Sequence, residues 1–512
     1  MIDRFQNQFR SFSFFLITAA FLFSLYLDRV GTNTTIHCII FFVFLQCLTL
    51  LDGRLVPVLK TAISALMALS ICITYACHFI YSDGFNIAFA ASILNASGTE
   101  VRLMSLLFSA FIPVVLILFG CQYFGHVTLR KLIGNKRRIT TGILLIYALS
   151  SVLYIVKEDP KFGVSENHVA SYMDRTPFYN LAYFLRARDE QLRMKAMSGL
   201  AFSHSYQTTA HAFDEVVVVV GESARRDKLH AYGYDRGTTP ALDAQLERNT
   251  TLFTNAVAGA PYTLLAVPFS LTTAKNASKN TAQMFDSVIQ AANANHIQTN
   301  WISTQGNWGD DSLGVAAIAS RSHSVQWLGG ADENVLAPLR NALDKPGRKL
   351  IVVHINGSHE PVCARLPDGT YAFGKQTEDD CYDSTVRYTD TLLGKIFDAL
   401  HGHNAALVYY SDHGLVKNKH GNYVHASGLP PKTSVEVPML VWFANGRPGW
   451  AKPRITGQYS TEYNYFLITD LLGLEIDRQP CLSALNSCYD FQRPLVVTDT
   501  AGEDHLYSNL PD

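Results

Sequence analysis

Five apolar stretches dominate the first third of the chain, and they limit the fold more than any other feature. They run over 11–27, 35–51, 56–81, 103–124 and 139–156. A helix needs about 20 largely apolar residues to cross a bilayer, because each residue adds only ~1.5 Å. Each stretch reaches or nearly reaches that length, and almost no charge interrupts them. One such stretch at the N-terminus would suit a cleaved signal peptide, but four more behind it do not. Five in succession also argue against buried helices of a soluble protein. The expectation is an N-terminal transmembrane domain of five helices over 1–156.

Basic residues give that domain a direction. Arg4, Arg10, Arg54, Lys60, Arg130, Lys131, Lys136, Arg137 and Arg138 fall on one set of flanks, and only Arg29 and Arg102 on the other. Short loops rich in Lys and Arg stay in the cytoplasm. An odd number of crossings then exports everything after residue 156, which predicts an inner-membrane protein with a periplasmic domain. The net charge of −1 offers no footprint for nucleic acid.

Cysteine usage agrees with export. Cys38, Cys47, Cys72, Cys77 and Cys121 lie in or beside the apolar stretches, where cysteine behaves as a small hydrophobe. The other four form two local pairs, Cys363 with Cys381 and Cys481 with Cys488. An even number in an exported domain reads as disulfides, although three connectivities are open.

Residues 157–213 read as a connector. Thr176-Pro177 has the form of an N-cap followed by proline in the first helical turn. The stretch after it mixes Phe178, Leu181, Tyr183, Phe184 and Leu185 with Arg186, Arg188, Arg193 and Lys195. It suits a helix on the membrane surface or a plain interdomain helix. From residue 214 onward, short apolar β-branched runs at 216–220, 350–354 and 406–410 alternate with helical patterns at 282–294, 382–400 and 463–474. That alternation predicts an α/β domain over 214–512 with a mainly parallel central sheet and helices on both faces.

Sites in open α/β sheets lie past the carboxyl ends of the strands. Three places there carry chemistry. Gly221-Glu222-Ser223 puts a carboxylate where a strand stops, as a metal ligand or as a neighbour of a helix cap. Ser411-Asp412-His413-Gly414 puts an oxygen and a nitrogen donor together, a set zinc accepts; the plain alternative is a polar turn. Between them, Thr263 in Pro261-Tyr262-Thr263-Leu264-Leu265 stands near a helix start, where exposed N–H groups favour an anion. A hydroxyl there on zinc can attack phosphorus, although an N-cap threonine would look the same. His354, His359 and His425 follow strands or lie near these motifs, and each suits a structural role or general acid catalysis.

Taken together these motifs resemble those of the Gram-negative phosphoethanolamine transferases, of the lipid A and lipopolysaccharide type, in the alkaline phosphatase–sulfatase superfamily. The resemblance also rests on Tyr232-Gly233-Tyr234-Asp235-Arg236-Gly237-Thr238-Thr239-Pro240 and covers nearly the whole chain. It implies zinc held by Glu222, Thr263, Asp412 and His413, with Thr263 as the nucleophile that becomes phosphoethanolamine-modified. It implies that His354, His359 and His425 surround the donor head group, and that Glu100 contributes to the lipid site. The implied reaction moves phosphoethanolamine from phosphatidylethanolamine to lipid A or an inner-core sugar, with zinc as cofactor.

The chain also departs from that pattern. Ala96-Ser97 replaces the usual Thr-Asn, Gly259 and Phe269 stand where lipid A enzymes often carry cysteines, and Ser303–Gly309 lacks their lysine. Ser460-Thr461-Glu462 replaces Ser-His-Asp. A periplasmic glucan or another glycan is therefore a rival acceptor. Phosphoglycerol transfer of the teichoic-acid type is a rival reaction, and a non-catalytic membrane organiser is a rival of another class. A sulfatase would need a Cys-or-Ser-x-Pro-x-Arg segment, which is missing around Thr263.

Overall fold

The computed structural model describes residues 2–27, 32–48, 56–80, 85, 90, 93–94, 109–133, 142–143, 146–147, 176–197, 204–209, 211–276, 281–305 and 314–512. The chain divides into two compact units, Met1–Glu190 and Gln191–Asp512.

The first unit is helical: α1 (Ile2–Leu27), α2 (Thr32–Leu48), α3 (Val56–Ile80), α4 (Ile112–Ile133) and α5, which begins at Tyr179 and runs to Met197. Two segments, Gln8–Leu27 and Val56–Ile80, are long and apolar enough to span a membrane, and Thr35–Leu45 and Ile112–Phe124 are shorter apolar helices. The expected fifth stretch, 139–156, falls largely outside the described residues. Inside the unit, Ile17, Phe21, Phe42, Met67, Ile71 and Leu118 pack together. Outside it, Phe12, Phe15, Val58, Leu116 and Ile117 are turned outward, as apolar side chains are when the solvent is hydrocarbon. Two polar residues of α3, Ser70 and Thr74, are paired. Asn180 Nδ2 donates to Thr74 Oγ1 and to the Ser70 carbonyl, and Ser70 Oγ donates to the Pro177 carbonyl. Such pairing makes a buried hydroxyl tolerable in an apolar helix. α5 begins at Tyr179, so Thr176 lies ahead of the cap position expected for it; its hydroxyl accepts the Phe178 N–H in the turn before the helix.

The second unit is built on an eight-stranded sheet. Its strands in chain order are β1 (Glu215–Gly221), β2 (Thr250–Val257), β3 (Gln298–Ser303), β4 (Ser324–Trp327), β5 (Lys349–His354), β6 (Ala405–Ser411), β7 (Glu436–Phe443) and β8 (Arg454–Ser460). In space they lie in the order β8-β2-β7-β6-β1-β5-β3-β4. Only β7 runs against the rest, pairing antiparallel with both β2 and β6. The sheet is thus mixed, and mainly parallel as expected.

β1 shows why the centre is a parallel strand. Its five consecutive valines are fully buried. Val216, Val218 and Val220 enter one core, and Val217 and Val219 the other. A run apolar at every position fits only a strand covered on both faces. One face carries α6 (Thr263–Leu271), α7 (Val288–Ala294) and α10 (Asn464–Leu471); the other carries α8 (Leu336–Leu343) and α9 (Glu378–Leu400). The four cysteines of this unit are paired as Cys363–Cys381 and Cys481–Cys488.

Candidate active site

Register alone brings the motifs together. Gly221 of β1 lies opposite Ser411 of β6, and Val220 lies opposite His354 of β5. The residues just beyond, Glu222 and Asp412-His413, therefore emerge side by side at one end of the sheet. Ser223 takes a left-handed backbone (φ 61°), so its N–H turns back to donate to Asp412 Oδ1 at 3.1 Å. Thr263, the first residue of α6, follows β2, which is parallel to β1 and β6 and so ends on the same side of the sheet.

Four donors converge. Thr263 Oγ1 donates to Glu222 Oε2 at 3.0 Å and lies 3.3 Å from His413 Nε2. His413 Nε2 is 3.2 Å from Glu222 Oε1 and 3.5 Å from Asp412 Oδ2. All four residues are buried. Zinc takes oxygen and nitrogen donors at about 2.0–2.1 Å, which puts neighbouring corners of a tetrahedron roughly 3.3 Å apart. The observed separations match that edge. Asp412 Oδ2 also accepts no hydrogen bond among the described residues, although a buried carboxylate oxygen is costly to leave unpaired. The donor set fits a zinc ion.

The charges support this. Burial alone would raise the Glu222 carboxyl, but the neighbouring His413, His359 and His425 outweigh it and hold Glu222 well below the usual carboxylate range. Asp412 is pushed up, first by burial and then by the Glu222 charge. His413 is pushed up to about 9: burial opposes this, and the charges of Asp412 and Glu222 overcome it. Two buried carboxylates and a hydroxyl thus surround a position that favours positive charge.

Further hydrogen bonds hold the donors in place. Ser223 Oγ donates to Glu222 Oε1 at 2.6 Å, and Gln305 Nε2 donates to Glu222 Oε2 at 2.9 Å and to the Ile355 carbonyl at 3.0 Å. Asp412 Oδ1 accepts the backbone N–H groups of Ser223 and His413, which leaves Oδ2 for the centre. Asp332 accepts the N–H groups of Asn356 and Gly357 and so fixes the loop that leads to His359.

The histidines separate into two groups. His425 joins Glu222 and His413 in a cluster whose ligand atoms lie within 4.8 Å of one another. Its ring is 4.7 Å from that of His413 and 5.1 Å from that of His359. His354 does not join them. It is buried edge-on to Trp301, its ring nitrogens have no hydrogen-bond partner among the described residues, and burial pushes it down to about 4. Glu100 and the neighbouring Ala96-Ser97 lie outside the described residues. Gln305 and Glu360 did not stand out in the sequence. Only the span from Ser303 onward, where a lysine was missing, pointed toward the first of them.

Two family models match the chain. One described as Sulfatase covers residues 214–474, and one described as Transferase YhbX N-terminal domain covers residues 2–198. The "Putative transferase YhbX" of Escherichia coli K12 is 33% identical over 417 residues, 78% of this chain and 76% of that protein. Phosphoethanolamine transferase OpgE of the same strain is 31% identical over 268 residues, 49% of this chain and 50% of that protein. Among solved structures, the integral membrane lipooligosaccharide phosphoethanolamine transferase A of Neisseria meningitidis superposes with a TM-score of 0.60 at 17% identity, covering 96% of this chain and 99% of its own. The zinc complex of the periplasmic domain of Escherichia coli EptC gives a TM-score of 0.54 at 23% identity, covering 61% of this chain and 98% of its own. At these identities the structural likeness speaks for the fold.

Proposed function

Since the chain belongs to the phosphoethanolamine transferase family of the alkaline phosphatase superfamily, we propose that it moves phosphoethanolamine from phosphatidylethanolamine to a lipopolysaccharide acceptor, lipid A or an inner-core sugar. The observation that carries this reading is the place of Thr263 Oγ1, 3.0 Å from Glu222 and 3.3 Å from His413 at the start of a helix. Glu222, Thr263, Asp412 and His413 would hold zinc. A bound zinc supplies Lewis acidity that lowers the pKa of a hydroxyl and draws charge from a phosphoryl oxygen.

The chain's own residues do the rest. Thr263 takes the phosphoethanolamine from the donor lipid and passes it to the acceptor. The exposed N–H groups at the start of α6 favour the phosphoryl charge beside it. His359 and His425 line the approach, with one of them protonating the departing diacylglycerol. Five membrane crossings in the inner membrane would hold the periplasmic domain where its lipid donor lies, which removes much of the entropic cost of encounter. The names of the relatives, phosphoethanolamine transferases among them, support the group transferred.

The test is to express the wild type and Thr263→Ala in a Gram-negative host and compare envelope glycolipids by mass spectrometry. The wild type should add phosphoethanolamine to an acceptor that the variant leaves bare. A wild type that adds it to no glycan or lipid contradicts the proposal.

A further inference from the structure

The loop that carries His359 also carries a carboxylate without a place in the chemistry so far. Glu360 Oε2 lies 2.7 Å from His425 Nδ1, with the two side chains 15% and 17% exposed. These residues are far apart in sequence, and the pair forms only because the loop after β5 folds over the segment after β6. Glu360 is itself anchored: its backbone carbonyl accepts from Arg365 Nη2 at 3.0 Å and lies 2.6 Å from His359 Nδ1. Burial would raise its carboxyl, but His425, His359 and His413 outweigh burial and keep it below the usual range. Glu360 therefore faces His425 as an anion.

A carboxylate in ion-pair contact with one imidazole nitrogen favours a proton there and so biases the tautomer. It keeps the proton on the nitrogen it touches and leaves the other nitrogen to act. The geometry points to Glu360 as a positioning residue for transfer: it holds His425 with Nδ1 protonated, so that Nε2 serves the phosphoryl group. This rests on the transfer reading above. His425 Nε2, free in the resting Nδ1–H tautomer, first takes the Thr263 hydroxyl proton; the Oγ–P bond then forms and the bond from phosphorus to the glycerol oxygen breaks. The proton on His425 Nε2 goes to that oxygen, releasing diacylglycerol. In the second half the acceptor oxygen bonds to phosphorus and the Thr263 Oγ–P bond breaks. The acceptor's proton goes to Nε2 and from there back to Thr263 Oγ. Over the cycle one proton passes from acceptor to diacylglycerol, and no co-reactant is consumed. Among the described residues His359 has no carboxylate in ion-pair contact with its ring, and it takes the supporting role.

The test uses the full-length, zinc-loaded protein in detergent. Histidine-selective 15N spectra, with the His425 signal assigned by its loss in His425→Gln, should place the proton on Nδ1 in the wild type and lose that preference in Glu360→Ala. With phosphatidylethanolamine vesicles, Glu360→Ala should release diacylglycerol about tenfold to a hundredfold more slowly. Half-saturating lipid and zinc content should not change, and Glu360→Asp should recover part of the rate. Adding Glu360→Ala to His425→Gln should cost nothing further, since the two act through one ring. The inference is overturned by an unchanged tautomer in Glu360→Ala, or by an equal extra loss in the His425→Gln background. If the wild type releases no diacylglycerol, the transfer reading fails, and the tautomer still decides whether Glu360 sets His425.

Discussion

The side-chain amide of Gln305 donates to Glu222 Oε2 at 2.9 Å, and the same oxygen accepts the Thr263 hydroxyl at 3.0 Å. The nucleophile and an uncharged amide thus share one carboxylate oxygen. Partners of metal ligands typically account for about 10–100-fold in metal affinity or activity. Gln305→Ala should therefore weaken zinc binding by about tenfold, measured by competition with a chelator, while leaving Glu222 in place. Zinc affinity equal to that of the wild type would show that Ser223 alone orients the carboxylate.

Gly357 constrains the same carboxylate from below. It has a left-handed backbone (φ 48°), and a Cβ there would lie 2.7 Å from the Glu222 carbonyl oxygen and 3.0 Å from its nitrogen. Left-handed geometry costs an L-residue about 1–2 kcal/mol before any clash. Gly357→Ala should lower both thermal stability and zinc content. A variant with normal zinc content would mean that the loop can move without disturbing Glu222.

These two cases show how far the sequence can be read. The strands were legible because runs such as the five valines of β1 are apolar at every position, and only a strand covered on both faces allows that. The helix over Glu378–Leu400 starts four residues before the expected 382, because Thr377 caps it by accepting the Asp380 N–H, and the three acidic residues that follow suit its first turn. The reversed direction of β7 was not legible: its apolar run reads the same either way. Glu222, Asp412 and His413 stood out because adjacent donors after a buried strand are informative. Gln305 did not, since glutamine has no metal chemistry of its own. Glu360 was hidden because its partner, His425, becomes a neighbour only in the fold. Thr263 became a candidate nucleophile through the spacing of the surrounding motifs, and the structure adds the distances.

The Cys363–Cys381 disulfide closes the segment just after His359 and Glu360 onto α9, with a sequence separation of 18. A cross-link over a loop of that order stabilises by about 3 kcal/mol in the chain-entropy account. Replacing both cysteines by serine should lower thermal stability accordingly and also slow turnover, because both site residues sit next to the tie. The corresponding change at Cys481 and Cys488, a pair with a sequence separation of 7, should cost less stability and spare turnover. Equal effects on turnover would sink the distinction.

Stability should also depend on pH through His204. Its ring bridges two carboxylates, with Nδ1 2.7 Å from Asp477 and Nε2 2.8 Å from Asp286. Burial lowers its pKa, but the two aspartates outweigh this and raise it above the ordinary 6.5. A raised histidine stabilises the fold fully below its unfolded pKa of about 6.5, and that contribution disappears as pH rises through the higher folded value. His204→Gln should therefore lower the melting temperature by about 2 °C near pH 6 and by less at about pH 9. A pH-independent difference would show that the ring acts by packing alone.

The central claim is that Thr263 carries the phosphoethanolamine group, and peptide mass spectrometry tests it most directly. Full-length, zinc-loaded protein is incubated with phosphatidylethanolamine vesicles without acceptor, quenched in acid and digested. The account predicts a phosphoethanolamine adduct on the peptide containing Thr263, localised to that residue and missing from Thr263→Ala and from protein stripped of zinc. Diacylglycerol release with an unmodified Thr263, or an adduct that persists in Thr263→Ala, would contradict it.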